Sequence, residues 1–184
     1  MRLAVLSLGA ACALAFAAPA LAGGDTLKVD PFTFDPGNTG SIVSAWQPGT
    51  GLADAGKSDH GLVLQKNAPT STNAAAGAVV SGAEGQQLTE IGFDVKGYCN
   101  AGSPRFNVVD QDGNTHFFGC VYGSQTPGAD GWTRVRQTGA DAFPPMDASD
   151  TIARVLIIAD EQGQSVVDNV DVNGTLVGKP GNAR

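Results

Sequence analysis

Histidine is almost absent: His60 and His116 are the only two in 184 residues. Two are too few for a zinc site or for an obvious nucleophile relay. Basic residues are scarce as well, 11 against 18 acidic ones. A surface of that sign argues against nucleic acid and anionic membrane as partners. No second apolar run of membrane length follows the first, and the C-terminal stretch carries neither a basic tail nor a lipidation signal. G-x-S-x-G and H-E-x-x-H are both missing, and nothing singles out a glycosidase pair among the scattered acids. Catalysis has no positive support in these residues, so the expectation is a protein that is not an enzyme. There is also no internal repeat, no low-complexity tail and no convincing amphipathic helix.

The one long apolar run stands at the start. Met1-Arg2 precedes a largely apolar stretch from Leu3 to Phe16, followed by Ala17-Ala18-Pro19-Ala20-Leu21-Ala22-Gly23. A positive start, a short apolar segment and a small-x-small site make residues 1–22 a secretory signal peptide, cleaved after Ala22. A membrane anchor fits less well, because the run is short and Pro19 breaks it. The expected product is one domain, residues 23–184, secreted to the periplasm or the extracellular space. Losing Arg2 moves the net charge from −7 to −8. Cys12 leaves with the signal peptide, so Cys99 and Cys120 remain as an even pair in an oxidising compartment. With no CxxC and no Cys/His cluster beside them they read as a structural disulfide, stabilising by about 3 kcal/mol in the chain-entropy model.

What the chain has in quantity is turn chemistry: 25 glycines and 10 prolines. Between the turns lie short β-prone runs at 27–34, 42–46, 60–66, 74–80, 88–96, 105–110, 115–121, 132–137, 151–159 and 165–172, with a last piece at 176–177. Pro31 confines the first to an edge. The run 151–159 is apolar on both faces except for Arg154, as a central strand would be. This pattern predicts an all-β fold, an antiparallel β-sandwich. Its expected core includes Ile91, Phe93, Val95, Phe106, Val108, Leu156 and Ile158.

The hairpin from Arg105 to Val121 is the organising element. Asp112-Gly113 is the preferred centre of a two-residue type I′ turn. That turn sets Val109 opposite His116, Asn107 opposite Phe118 and Arg105 opposite Cys120. Side chains alternate across strands, so Phe106, Val108, Phe117, Gly119 and Val121 share a core face. Arg105, Asn107, Val109, His116, Phe118 and Cys120 share the other. Asp110-x-Asp112-x-Asn114 opens like a calcium loop but lacks its Gly and closing Glu, and turn chemistry accounts for it.

The late strand Val166-Val167-Asp168-Asn169-Val170-Asp171-Val172 is similar to the closing D-N-V strand of carbohydrate-binding modules and galactose-binding-like jelly rolls. Gly131-Trp132, opening an earlier strand, adds to the resemblance. It implies a jelly-roll-like sandwich, and a structural calcium ion held by the closing-strand acid, Asp168, near the first strand, where Asp30 is the second ligand to nominate. Alternation points Asp168 inward, so it needs an ion, a backbone cap or a partner such as Arg154. The second hairpin face then reads as a glycan site: Arg105, Asn107 and His116 as hydrogen-bonding groups, Phe118 as a stacking surface, and Trp132 extending the face with Arg134 and Arg136. The expected function is a secreted, non-catalytic carbohydrate-binding domain. The alternative is a structural or protein-interaction sandwich of the cell envelope with no small ligand.

Overall fold

The computed structural model describes residues 26–53 and 59–180; the expected signal peptide lies outside them. Twelve strands follow in chain order: β1 (Lys28–Phe34), β2 (Ile42–Gln47), β3 (Gly61–Lys66), β4 (Ala75–Ser81), β5 (Ile91–Gly97), β6 (Arg105–Asp110), β7 (Thr115–Gly119), β8 (Ser124–Pro127), β9 (Trp132–Gln137), β10 (Ile152–Ala159), β11 (Gly163–Val172) and β12 (Thr175–Val177). Five of them form one sheet in the order β1-β4-β10-β6-β7. The other sheet runs β2-β3-β11-β5-β9-β8, with β12 paired to β11. Every strand pair is antiparallel. The result is a jelly-roll-like antiparallel β-sandwich.

Period-two alternation builds the core. Ile91, Phe93 and Val95 of β5 are buried, as are Phe106 and Val108 of β6. The Phe93 and Phe106 rings, 5.1 Å apart, join the two sheets across the middle. β1 lies at a sheet edge, where Pro31 costs no ladder bond, and β10 is the central strand of its sheet. Leu156 and Ile158 are a correction to the expected core. Val155 and Ile157 face inward at full burial, and Leu156 and Ile158 are half-buried on the outer face. A strand apolar on both sides does not announce which set points in. β8 is not among the expected strands, because its four exposed residues, Ser124–Pro127, carry no apolar periodicity.

The hairpin differs from expectation by one residue. Asp110 pairs with Asn114 through the Asp110 N–H to Asn114 carbonyl bond, so the loop has three residues, Gln111 to Gly113. Gly113 donates to the Asp110 carbonyl and takes φ 88°; Asp112 stays out of the left-handed region that a type I′ turn requires of both residues. The cause is the Asp110 side chain, whose Oδ1 accepts the N–H groups of Asp112 and Asn114 at 2.9 and 2.8 Å. It stabilises a type I turn closed by Gly113. The register becomes Arg105 opposite Gly119, Phe106 opposite Phe118, Asn107 opposite Phe117 and Val108 opposite His116. A one-residue slip turns a strand over. His116, Phe118 and Cys120 therefore face the core, while Phe117 (38% exposed) faces out and Val121, beyond the end of β7, is likewise exposed.

The disulfide is present as expected. Cys99 and Cys120 are bonded with their Cα atoms 5.5 Å apart. The intervening loop folds back over β7: Cys120 N–H donates to the Pro104 carbonyl, and Ala101 O would sit 1.9 Å from any Cβ at position 119. Only glycine fits there.

Candidate functional site

The outer face of the five-stranded sheet collects a mixture of apolar and polar groups. One cross-strand row runs Phe32, Gly77, Ile158, Arg105, and the next runs Val79, Leu156, Asn107, Phe117. The Phe32 ring covers Gly77 so closely that an added Cβ would meet it at 2.6 Å. Phe34 is 46% exposed at the end of β1. Phe143, on the segment after β9, makes an antiparallel bridge with Phe117 and is 78% exposed.

At one end of this face lies a groove of about 600 Å³, lined by Phe34, Thr70, Asn73, Arg105, Asp160 and Glu161 among others. Arg105 is held rigidly. Its two terminal nitrogens donate to both oxygens of Asp160 at 2.7 and 2.9 Å, Nε donates to Asn107 Oδ1 at 3.0 Å, and Nη1 also donates to the Gly102 carbonyl. The guanidinium lies 5.9 Å from the centroid of the Phe117 ring, within cation–π range. Glu161 accepts from the Tyr98 hydroxyl, and that bond is the main reason the Tyr98 pKa is raised.

The groove walls depend on a buried lysine that sequence reading missed. Lys66 is 1% exposed, and its Nζ donates to the carbonyls of Thr70, Thr72 and Asp160 at 3.1, 2.7 and 2.6 Å. One ammonium thus ties the 70–73 loop to the end of β10. Alternation within HGLVLQK places Lys66 on the same face as Leu62 and Leu64, and that was the available signal.

The expected glycan set does not converge. Arg105 and Asn107 are on the outer face as expected. Phe118 is fully buried and His116 nearly so, because the register turned β7 over; Phe117 occupies the outward position assigned to Phe118. Trp132 is 6% exposed and shares a side with Arg134 and Arg136, opposite the core residue Val135. That side is the outer face of the seven-stranded sheet, so two sheets separate Trp132 from Arg105.

The calcium pair does not converge either. Asp168 is opposite Asp94, as Val167 is opposite the core residue Val95. It is fully buried, but on the outer face of the seven-stranded sheet, where Leu52 and Asn169 donate backbone N–H groups to it at 2.7 and 2.6 Å. Burial pushes its pKa up to about 6 against those two bonds. Asp30 is exposed on the outer face of the five-stranded sheet, so with sheets stacked about 10 Å apart the two acids cannot share an ion. Arg154, also on the five-stranded sheet, is exposed and no partner for Asp168. Asp168 acts as a backbone cap.

Fold and site together define a β-sandwich with an aromatic-flanked groove on one outer face. No protein-family model matches the chain, and no curated protein matches it in sequence. Among solved structures it is similar to the family 11 carbohydrate-binding module of the cellulosomal cellulase Lic26A-Cel5E of Clostridium thermocellum, at 15% identity over 84% of this chain and 96% of that one, TM-score 0.46. The family 11 module from the same organism in complex with a β-1,3-1,4-mixed-linked tetrasaccharide gives 14% identity, 87% and 99% coverage, and TM-score 0.46. The enzymatically active domain of bacteriophage CBA120 tailspike protein 4 gives 16% identity over 83% of this chain and 20% of that one, TM-score 0.39. These are likenesses of fold.

Proposed function

We propose that the chain is a secreted, non-catalytic binding domain that takes a carbohydrate on the outer face of its five-stranded sheet. The observation that carries this reading is the exposed Phe117 ring lying against a guanidinium already locked to Asp160 and Asn107, beside a groove that ends at Phe34. A sugar ring offers an apolar face to stack and hydroxyls that exchange hydrogen bonds with planar donors and carboxylates. Binding rather than hydrolysis fits the groove's acids. Both oxygens of Asp160 are engaged by Arg105, and Glu161 is engaged by Tyr98. A shallow site of this kind binds in the micromolar to millimolar range, about −8 to −4 kcal/mol.

A glycan array probed with the purified protein tests the proposal. Phe117→Ala and Phe34→Ala are expected to weaken capture of the bound glycan at least tenfold with the melting temperature nearly unchanged. Capture of no glycan overturns it. The reading that then stands is a protein-interaction sandwich, which the exposed Phe143 favours.

A further inference from the structure

We propose that Asp110, His116 and Asp150 form a zinc-binding site at the β6–β7 turn. Two histidines are too few for the zinc site expected from sequence, but the fold adds two carboxylates to one imidazole, and those are zinc ligands as well. The fold brings in Asp150, 34 residues on from His116 in sequence, and one ligating atom from each of the three lies within 4.8 Å of the others. His116 Nε2 and Asp110 Oδ2 are 3.2 Å apart. Two ligands of a tetrahedral zinc at about 2.0–2.1 Å from the metal stand roughly 3.3 Å apart, so this pair already has the spacing of a coordination edge.

The atoms that do not face the cluster are held in place. His116 Nδ1 donates to the Pro144 carbonyl at 3.0 Å, which fixes the ring and directs Nε2 at the acids. Asp110 Oδ1 accepts two backbone N–H groups of the turn. Asp150 accepts the Asp147 N–H at 2.9 Å. A ligand whose far side is hydrogen-bonded to the protein is the arrangement that orients metal sites. His116 and Asp110 are 4% and 3% exposed, whereas Asp150 borders a cavity of about 120 Å³ lined also by Asp112 and Ser149. That cavity gives the ion an entry path and room for a water as fourth ligand.

The exchange balances. Without metal, Nε2–H donates to Asp110, and two carboxylates face one imidazolium, a local charge of −1. Zinc replaces the Nε2 proton, which leaves to solvent, and the new Nε2–Zn bond brings the local charge to zero. An imidazole donor and close spacing select zinc over calcium, which takes six to eight oxygens at about 2.3–2.6 Å.

The test uses tag-free, chelator-treated protein and zinc chloride, followed by calorimetry and by ¹⁵N spectra of the histidine rings. One zinc per chain should bind with release of a proton. The His116 Nε2 resonance should shift while Nδ1–H persists, and His60 should be unmoved. Asp150→Asn should weaken zinc at least tenfold, and a tenfold excess of calcium chloride should not compete. The ring spectra need no variant, so the test survives a variant that folds poorly. No saturable binding at millimolar zinc, a shift confined to His60, or unchanged affinity in Asp150→Asn would overturn the proposal.

Discussion

Phe118→Ala and Phe117→Ala form a matched pair that tests the hairpin register directly. Phe118 is fully buried opposite Phe106, within the cluster that joins the sheets; Phe117, its chain neighbour, is 38% exposed. Truncating a buried Phe removes its transfer free energy and leaves a cavity, about 3–5 kcal/mol together. Truncating the outward ring is expected to cost about 1 kcal/mol or less, mostly its contact with Arg105. For a domain of this size each kcal/mol moves the melting temperature by about 2–4 °C, so Phe118→Ala should melt roughly 6–20 °C lower. Guanidinium unfolding with the disulfide intact measures both, and an unchanged m-value is required for the comparison. Glycan capture should rank the variants the other way, with Phe117→Ala the weaker binder. Were Phe117→Ala the more destabilising of the two, the two-residue turn would be restored and the site as built here would be wrong.

The remaining expectations concern other parts of the sandwich. Thiol titration of the unfolded, unreduced protein lacking residues 1–22 should find no free thiol, and reduction should cost about 3 kcal/mol; two free thiols would contradict the bond. Lys66→Met keeps the side-chain length but leaves three carbonyls without their shared donor, so it should destabilise by about 1–3 kcal/mol and weaken glycan capture; unchanged stability would mean that water replaces the ammonium. Asp168 binds its proton more tightly folded than unfolded, so it should make stability fall as pH rises from about 4 to about 6, and Asp168→Asn should flatten that part of a chelator-treated pH–stability curve. Calcium should leave the melting temperature unchanged, and a rise would put an ion on Asp168 with partners other than Asp30.

The strands were legible because their side chains alternate and their ends carry Gly, Pro, Asn and Asp. Ile91, Phe93 and Val95 fell inward as the period of two required. The faces of β7 were not legible, because Asp-Gly serves equally as the centre of a two-residue turn and as the end of a three-residue one. The Asp110 carboxylate decides between them, through hydrogen bonds to Asp112 and Asn114. Trp132 failed for a different reason. Alternation gave its side of β9 correctly, but which sheet β9 joins is a long-range matter, settled by its pairing with β5. Phe34, Asp160 and Glu161 were missed because they meet only where the ends of β1 and β10 come together.

The two outer faces of the sandwich differ in what a ligand would have to displace. On the seven-stranded sheet Arg134, Arg136, Asp94, Asp171 and Glu90 pair with one another, with Arg136 Nη2 buried and without a hydrogen-bond partner. Arg134 reaches Asp94 at 3.4 Å, and Arg136 reaches Asp171 at 3.3 Å and Glu90 at 3.5 Å. Asn169 donates a 2.7 Å bond to Asp94, and the Leu52 N–H donates to Asp168 at 2.7 Å. A ligand there would have to displace bonds that already compensate buried charge, which costs several kcal/mol when one partner is left unpaired. On the five-stranded sheet the committed groups are Arg105, Asp160, Asn107 and Glu161, Asp30 and Arg154 are exposed, and Val79, Leu156, Ile158 and Phe117 form an outward apolar set between them. Folding gains nothing from keeping those groups on the outside, and contiguous exposed apolar surface rimmed by polar residues is what a binding face requires. Covering that face buries apolar area and leaves the Arg105–Asp160 pair intact, so it is the side of the molecule on which association has the lower cost.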